Sequence, residues 1–185
     1  YALIALGYTM VYGIAKMLNF AHGDVIMIGG YVTYIAMSSL GLPAWIAVLL
    51  SVIVCTVLGI LIEKVAYRPL REAASSLAVL ITAIGVSYLL QNIALLIFGS
   101  APKSFTSVVS VPALTFAGGR LTISGETIVT IASCIVVMTA LTLFINKTKA
   151  GQAMLAVSED KGAAKLMGIN VDATIALTFA IGSGL

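Results

Sequence analysis

Residues 44–62 read AWIAVLLSVIVCTVLGILI, a run without a single charged side chain. A helix rises about 1.5 Å per residue, so a run of this length is roughly long enough to cross the hydrocarbon core of a bilayer. The run also lacks the strict alternation of apolar and polar residues that marks a strand of a membrane barrel. It therefore predicts a transmembrane α-helix.

The composition extends this prediction to the whole chain. Of the 185 residues, 61% are apolar and 9% are charged, and the mean hydropathy is +1.13. Soluble domains carry about 25% charged residues. The sequence thus predicts an all-α fold, a polytopic bundle of transmembrane helices in a lipid bilayer.

Further apolar segments lie on both sides of the first. They cover residues 2–18, 25–40, 77–98 and 127–146, and a last one begins at Thr174. We therefore expect about six apolar segments in a single transmembrane domain over residues 1–185. Because the chain starts and stops inside apolar runs without an initiator Met, we expect a fragment truncated at both ends.

Lysine and arginine are concentrated in two of the connections. The first carries Lys64, Arg68 and Arg71, and the second, two crossings later, carries Lys147, Lys149, Lys161 and Lys165. Because cytoplasmic loops carry an excess of these residues, both connections are predicted to be cytoplasmic. This placement explains the net charge of +3, and we expect no nucleic-acid partner.

The connection over residues 100–125 is then predicted to lie on the outer side. It is rich in Ser, Thr, Gly and Pro, and apolar residues alternate before and after a glycine pair. That pattern is typical of a β-hairpin. The predicted hairpin has Leu114 and Phe116 before the turn Gly118-Gly119, and Leu121 and Ile123 after it.

The longest polar interruption is KTKAGQAMLAVSEDKGAAKLMGIN, residues 147–170. It is rich in small residues, which let another backbone approach closely. Gly168 is predicted to end a short helix, and Asn170 with Asp172 to begin the next one as cap and first-turn acid. Two interpretations fit: a docking element for a partner, or a solvated loop that merely connects two spans.

The hexapeptide NFAHGD, residues 19–24, separates the first two apolar segments without a long loop. It is either a tight aqueous turn or a break inside the membrane, where irregular backbone must line a cavity or be buried in protein. Asp24 would fall in the first turn of the next helix, where the dipole favours a carboxylate. Polar residues inside membranes tend to be functional. Two roles are therefore open for the polar residues of this hexapeptide and of the segment 77–98: they line a transport pathway, or they are purely structural. These residues are Asn19, His22, Gly23, Asp24, Gln91 and Asn92.

Several kinds of chemistry have no support in the sequence. His22 is the only histidine, and no residues with metal-ligand spacing accompany it, so we expect no metal site. The glycine-rich loop that cradles nucleotide phosphates is also missing. We expect no cofactor in this chain, and if ATP drives its function, another chain must bind and hydrolyse the ATP.

Four stretches of the chain together resemble a known family. They are YALIALGYTMVYGIAKMLNFAHGDVIMIGGYVTY at residues 1–34, EKVAYRPLR at 63–71, LITAIGVSYLLQN at 80–92 and AVSEDKGAAKLMGINVDATIALTF at 156–179. In this order they are similar to the transmembrane permease subunits of bacterial branched-chain amino acid ABC importers, most closely the LivH type. Urea and short-amide permeases of the same superfamily share much of the pattern.

The resemblance implies a bundle of roughly eight spans in a complete chain. It also implies that residues 147–170 are the cytoplasmic coupling region on which an ATPase subunit docks. The general coupling pattern of ABC importers is Glu-Ala-Ala followed by a glycine, and here Gly162 stands in place of the glutamate. The residues implied in coupling are Glu159, Asp160, Ala163, Ala164 and Gly168.

The resemblance further implies a multi-pass subunit of the bacterial inner membrane that is not itself an enzyme. Its partners would be cytoplasmic ATPase subunits, a second permease that is a paralogue rather than a copy, and an extracytoplasmic solute-binding protein. The mechanism would be alternating access, in which the ATPase pair moves the coupling region. Residues 19–24 would be a candidate pathway element, as broken helices are in other transporters.

Alternative functions predict different features. A urea or short-amide permease would share the same stretches. A channel would need a ring of charges or carbonyls from symmetric copies and no docking helix. A proton- or sodium-coupled transporter would need ionisable residues in the middle of its spans, and the long spans after Ala44 hold none there. An intramembrane enzyme would need a nucleophile, base or metal constellation, which the sequence does not show.

Overall fold

The computed structural model describes residues 1–70, 76–104, 114–116 and 121–185. This part of the chain folds into helices and one short hairpin. In chain order the elements are α1 Ala2–Ala15, α2 His22–Ser38, α3 Ala44–Ile62, α4 Ser76–Phe98, β1 Leu114–Phe116, β2 Leu121–Ile123, α5 Gly125–Lys147, α6 Lys149–Glu159, α7 Lys161–Leu166 and α8 Val171–Gly184. The predicted all-α fold is confirmed.

Among the described residues, three helices are long and apolar enough to cross a membrane, which makes the chain a multi-pass membrane protein. They cover Ala44–Leu70, Leu77–Phe98 and Gly125–Lys147. The first comprises α3, a π-helical turn at Glu63–Tyr67 and a 3-10 turn at Arg68–Leu70. The helix thus continues in irregular form beyond the predicted apolar run 44–62 as far as Leu70.

The first apolar segment forms a shorter helix than the sequence predicts. We expected a span over residues 2–18, but α1 ends at Ala15. Lys16 then adopts a left-handed backbone conformation with φ 56°, which an α-helix of L-residues cannot continue. Hydropathy alone does not reveal this end, because Met17 and Leu18 are as apolar as the helix before them.

The bundle is built around α3 and α8. The largest interfaces join α2 to α3, α3 to α8 and α1 to α8. Glycines let these helices approach closely: a methyl group added at Gly7 in α1 would lie 2.7 Å from the carbonyl oxygen of Gly182 in α8. α5 instead lies at the periphery, with none of its apolar window buried inside the chain. Small residues at buried crossings and long side chains outside are typical of membrane helices.

Both lysine- and arginine-rich connections meet at one end of the bundle. The guanidinium of Arg68, at the end of the first long span, lies 2.9 Å from the carboxylate of Asp172 in α8. A groove of about 780 Å³ at this end is lined by Arg68, Lys161 and Lys165 among others. The two connections that charge bias predicts on one side of the membrane are therefore neighbours in space.

The predicted hairpin is present. β1 and β2 pair antiparallel, with Leu114 opposite Ile123 and Phe116 opposite Leu121. The predicted glycine turn at residues 118–119 lies outside the described residues.

Residues 147–170 form two helices, whereas the sequence analysis predicts one. α6 and α7 are separated at Asp160, whose backbone is extended (φ −148°, ψ 112°). Its carboxylate accepts hydrogen bonds from the backbone N–H groups of Gly162 at 2.7 Å and Ala163 at 3.1 Å. An aspartate in this role begins a helix, so Asp160 both interrupts the predicted helix and starts α7.

The predicted end of this region is confirmed. Gly168 has a φ of +82°, the conformation that glycine adopts after a helix at no steric cost. The side chain of Asn170 then accepts a hydrogen bond of 3.0 Å from the backbone N–H of Ala173, and Asp172 lies in the first turn of α8.

Candidate functional site

The N-terminus of α2 lies inside the bundle rather than at its end. The His22 ring is 6.1 Å from the Tyr8 ring between centroids, and Tyr8 is about 10 Å along α1 from Ala15 at 1.5 Å per residue. The chain after Ala15 therefore turns back into the bundle, and Asn19 on this stretch is 3% exposed. Of the two predicted geometries, the structure has the break between helices that is buried in protein.

Asp24 is held in the first turn of α2 by two side chains of α4. Its carboxylate accepts hydrogen bonds from the hydroxyl of Ser87 and, at 2.9 Å, from the amide nitrogen of Gln91. Gln91 also donates to Ser87 at 3.2 Å. Burial of a carboxylate is costly unless hydrogen bonds compensate it, and the N-terminal end of α2 stabilises it further.

The Asp24 cluster, defined as Asp24, Ser87 and Gln91, lies level with the middle of a span. Ser87 is roughly 15 Å along α4 from Leu77 at 1.5 Å per residue, and the candidate span runs from Leu77 to Phe98. Asp24 is 8% exposed, whereas Gln91 is exposed on the outside of this single chain. The cluster thus reaches from the bundle interior to an open edge of α4.

A residue at the end of the first long span stabilises the break before α2. The hydroxyl of Tyr67 lies 3.2 Å from the side-chain oxygen of Asn19 and 3.4 Å from the carbonyl oxygen of Leu18. Tyr67 is fully buried, and its ring packs against Phe179 of α8 at 5.2 Å between centroids. The Asn19 carbonyl also accepts a hydrogen bond of 3.2 Å from the backbone N–H of His22, so the break is a fixed structure.

His22 brings an imidazole next to this break. Its side chain is 5% exposed, and its Nδ1 atom is buried without a hydrogen-bond partner among the residues that the structure describes. A buried polar atom without a partner costs free energy. The imidazole therefore retains one unused hydrogen-bonding atom beside the break.

Gly23 and Asn92, two of the predicted pathway residues, belong neither to the Asp24 cluster nor to the buried contacts of the break. Gly23 is exposed, and no atom lies within 4 Å of a methyl group added there. The amide of Asn92 donates a 2.7 Å hydrogen bond to the Tyr88 carbonyl of its own helix. Ser87 is a further polar residue of this span, and its i, i+4 spacing to Gln91 puts both side chains on one face of α4.

The residues implied in coupling divide between the surface and the core. Glu159, Asp160, Ala163 and Gly168 are exposed. Ala164, in contrast, is 2% exposed and belongs to the apolar core, because it lies on the face of α7 that packs on the bundle. The exposed face of this region instead includes two large apolar side chains, Leu166 at 90% and Met167 at 83% exposure.

The chemistry available at the break is hydrogen bonding and charge. Among the described residues, no three histidine, cysteine, aspartate or glutamate side chains lie together as a metal site would require. The groups present are a carboxylate, a carboxamide, a hydroxyl and an imidazole. They can bind and orient a small polar solute.

Comparison with known proteins identifies the family. The sequence model of one protein family, described as the branched-chain amino acid transport system permease component, matches residues 1–185. The chain is 43% identical over 198 residues to the high-affinity branched-chain amino acid transport system permease protein BraD of Pseudomonas aeruginosa. It is 42% identical over 202 residues to the corresponding protein LivH of Salmonella typhimurium.

A more distant relative comes from an archaeon. The chain is 28% identical over 177 residues to a probable branched-chain amino acid transport permease protein LivH of Methanocaldococcus jannaschii, and the match covers 93% of this chain and 55% of that protein. The matches to BraD and to the Salmonella LivH cover 100% of this chain and 63% of each relative. The search of solved structures found no match. Because the family model matches its whole length, the chain belongs to the family of branched-chain amino acid transport permease components.

Proposed function

We propose that this chain is the membrane-spanning permease subunit of an ATP-driven importer for branched-chain amino acids in the bacterial inner membrane. The observation that carries the proposal is the Asp24 cluster, which lies level with the middle of a span in a member of this permease family. A carboxylate inside a membrane is expensive and marks the path of a solute or ion in many transporters.

The solute would be a zwitterion with a branched aliphatic side chain. BraD of Pseudomonas aeruginosa and LivH of Salmonella typhimurium are named for this class of solute. The Asp24 carboxylate would attract the ammonium group of the solute, since the low local dielectric strengthens such a pair. The unpaired Nδ1 atom of His22 would offer a hydrogen bond to a polar group next to it.

The energy would come from a cytoplasmic ATPase subunit that docks on residues 147–170. Leu166 and Met167 protrude at the lysine- and arginine-rich end of the bundle, and exposed large apolar side chains rimmed by charges mark interaction surfaces. Ala163 and Gly168 lie on the exposed surface of the same region. The ATPase would bind and hydrolyse the ATP, since this sequence has no phosphate-cradling loop.

A second permease, a paralogue of this chain, would complete the pathway. Gln91 and Tyr88 lie on an exposed edge of α4, and Tyr88 is 63% exposed. Polar side chains at mid-span are costly against lipid, so a second subunit against this edge would remove that cost. An extracytoplasmic binding protein would deliver the solute at the opposite end from the lysine-rich connections.

Uptake by vesicles tests this function. The vesicles contain the full-length protein with its second permease and its ATPase subunits, and the binding protein is supplied outside. We expect ATP-dependent accumulation of labelled leucine, suppressed by unlabelled isoleucine and valine and unaffected by urea. Suppression by urea or a short amide alone would assign the chain to that related group of permeases, and the absence of any uptake would reject the proposal.

A further inference from the structure

One side chain connects the coupling region directly to the helix that precedes the break. The Lys161 ammonium donates a hydrogen bond of 2.9 Å to the carbonyl oxygen of Ala15. Lys161 is the first residue of α7, and Ala15 is the last residue of α1 and fully buried. The contact therefore joins an exposed cytoplasmic element to the interior of the bundle.

The contact is favourable because the C-terminal end of α1 attracts a positive charge. Its last turn contains no basic residue of its own, and the final carbonyl groups of a helix carry partial negative charge. The ammonium of Lys161 brings a positive charge to this end from another part of the chain, in addition to the charge of the C-cap residue Lys16. Hydrogen bonds with an ionised donor are shorter and stronger than neutral ones.

The residues after Ala15 lead directly to the Asp24 cluster. Lys16 takes the left-handed conformation that ends α1, and Asn19 is fixed by the hydroxyl of Tyr67 and by its backbone contact with His22. His22 is the first residue of α2, and Asp24 lies in its first turn. A displacement of the Ala15 carbonyl therefore shifts a short stretch that is held by the contacts of Asn19 and that ends at the carboxylate.

We propose that Lys161 is a positioning residue that transmits movement of the docked coupling region through Ala15 to the N-terminus of α2. The proposal rests on the proposed function and names the contact through which ATPase docking reaches the pathway. Lys161 acts through the backbone of α1 and touches no solute.

Lys165 provides a matched control. It lies one helical turn after Lys161, is exposed like Lys161 and lines the same groove, but its side chain makes no hydrogen bond with the described part of the chain. Replacement of either lysine by methionine removes one charge at a similar side-chain length. A general effect of charge would appear in both variants, and an effect of the Ala15 contact only in the first.

The first test measures coupling in the reconstituted full-length importer. We expect Lys161→Met to retain its ATPase subunit and to hydrolyse ATP, while the ATP consumed per leucine transported rises about tenfold, the loss expected for a charge-assisted hydrogen bond. Lys161→Arg, which keeps a cationic donor, should restore most of the coupling, and Lys165→Met should match the unmodified protein. An unchanged ratio in Lys161→Met, an equal rise in Lys165→Met, or loss of the ATPase subunit would overturn the proposal.

The second test does not depend on transport. Gly23 is exposed beside Asp24 and has free space around it. With the partly exposed Cys134 replaced by serine, Gly23→Cys therefore reports the position of the α2 N-terminus by its rate of reaction with a thiol reagent. We expect Lys161→Met to change this rate about tenfold and Lys165→Met to leave it unchanged. An unaltered reaction rate in Lys161→Met would contradict the proposed role of the contact even if transport is normal. An altered rate together with the absence of ATP-dependent uptake would reject only the proposed function.

Discussion

At the scale of single residues, Asp24 is the group whose position most needs an explanation. A carboxylate that is 8% exposed inside an apolar bundle is stable only if its oxygens are satisfied. Ser87 and Gln91 satisfy them from α4, and the N-terminal dipole of α2 adds to this. The same arrangement leaves one edge of the cluster open at Gln91.

Removal of the charge at Asp24 should impair transport more than folding. Asp24→Asn keeps the shape and one of the two acceptor oxygens, and the Ser87 hydroxyl can turn to accept from the new amide group, so we expect the protein to insert and purify normally. Uptake of leucine should fall at least about tenfold, because the ammonium group of the solute loses its countercharge. Uptake in vesicles and gel filtration in detergent measure the two effects.

A suitable control removes a polar group from a span without touching the cluster. Thr139 on α5 bonds only to the Ile135 carbonyl of its own helix and is exposed, so Thr139→Val should transport normally. Equal uptake by Asp24→Asn and Thr139→Val would exclude a role for the carboxylate in the pathway.

The sequence predicts the position of Asp24 at the start of a helix, but it does not show which side chains contact it. The placement of an acid in a first turn depends on local backbone chemistry, which a sequence shows. Ser87 lies 63 positions further along the chain, and Tyr67 meets Asn19 only after α3 has folded beside the break. Ala164 was assigned to the docking face for a similar reason, since a six-residue helix of small residues has no hydrophobic stripe to show which side packs inward.

At the scale of helices, packing depends on which glycines meet a neighbour. Gly29 and Gly30 are adjacent in α2, but only Gly29 is buried. A methyl group at Gly29 would lie 2.9 Å from Ser51 Oγ and Cys55 Sγ of α3. No atom lies within 4 Å of one at Gly30, so the two positions form a natural pair for comparison.

Gly29→Leu should destabilise the protein and Gly30→Leu should not. Overpacking at a closed helix crossing typically costs about 1–3 kcal/mol. In the open position, leucine replaces the poorest ordinary helix former and gains up to about 1 kcal/mol. Thermal unfolding of the full-length protein in detergent measures both. Equal melting temperatures for the two variants would show that the crossing of α2 and α3 is looser than the structure indicates.

The docking surface makes a second prediction at the scale of helices. Leu166→Glu places a charge at the most exposed apolar side chain of the coupling region, and the ATPase subunit should bind over tenfold more weakly, a loss of about 2 kcal/mol. The matched control is Leu40→Glu, since Leu40 is 62% exposed in the turn before α3 at the other end of the bundle. Co-purification of the ATPase with the two variants measures the difference, and normal retention by Leu166→Glu would remove this surface from the interface.

The existence of the helices follows from the sequence more closely than their ends do. Long apolar runs predict α3, α4 and α5 because burial in lipid requires internal hydrogen bonds. The end of α1 depends instead on a left-handed Lys16, and the start of α7 on an extended Asp160. Hydropathy does not encode these conformations. The hairpin strands were predictable, because alternation beside glycines is a local signal.

At the scale of the whole molecule, the bundle brings its functional parts to a common end. The C-terminus of α1, the end of the first long span and α7 all lie beside the groove lined by Arg68, Lys161 and Lys165. Charge bias predicts this side as cytoplasmic. Any force applied to α7 there acts close to α1 and α8, the helices that pack around the break.

In the proposed function, ATP hydrolysis by a partner drives a branched-chain amino acid through this permease. The most direct measurement is the uptake of labelled leucine by vesicles that contain the full-length importer with an ATPase subunit that binds but cannot hydrolyse ATP. We expect uptake to fall to the level of vesicles without ATP. Undiminished uptake would contradict the proposed function.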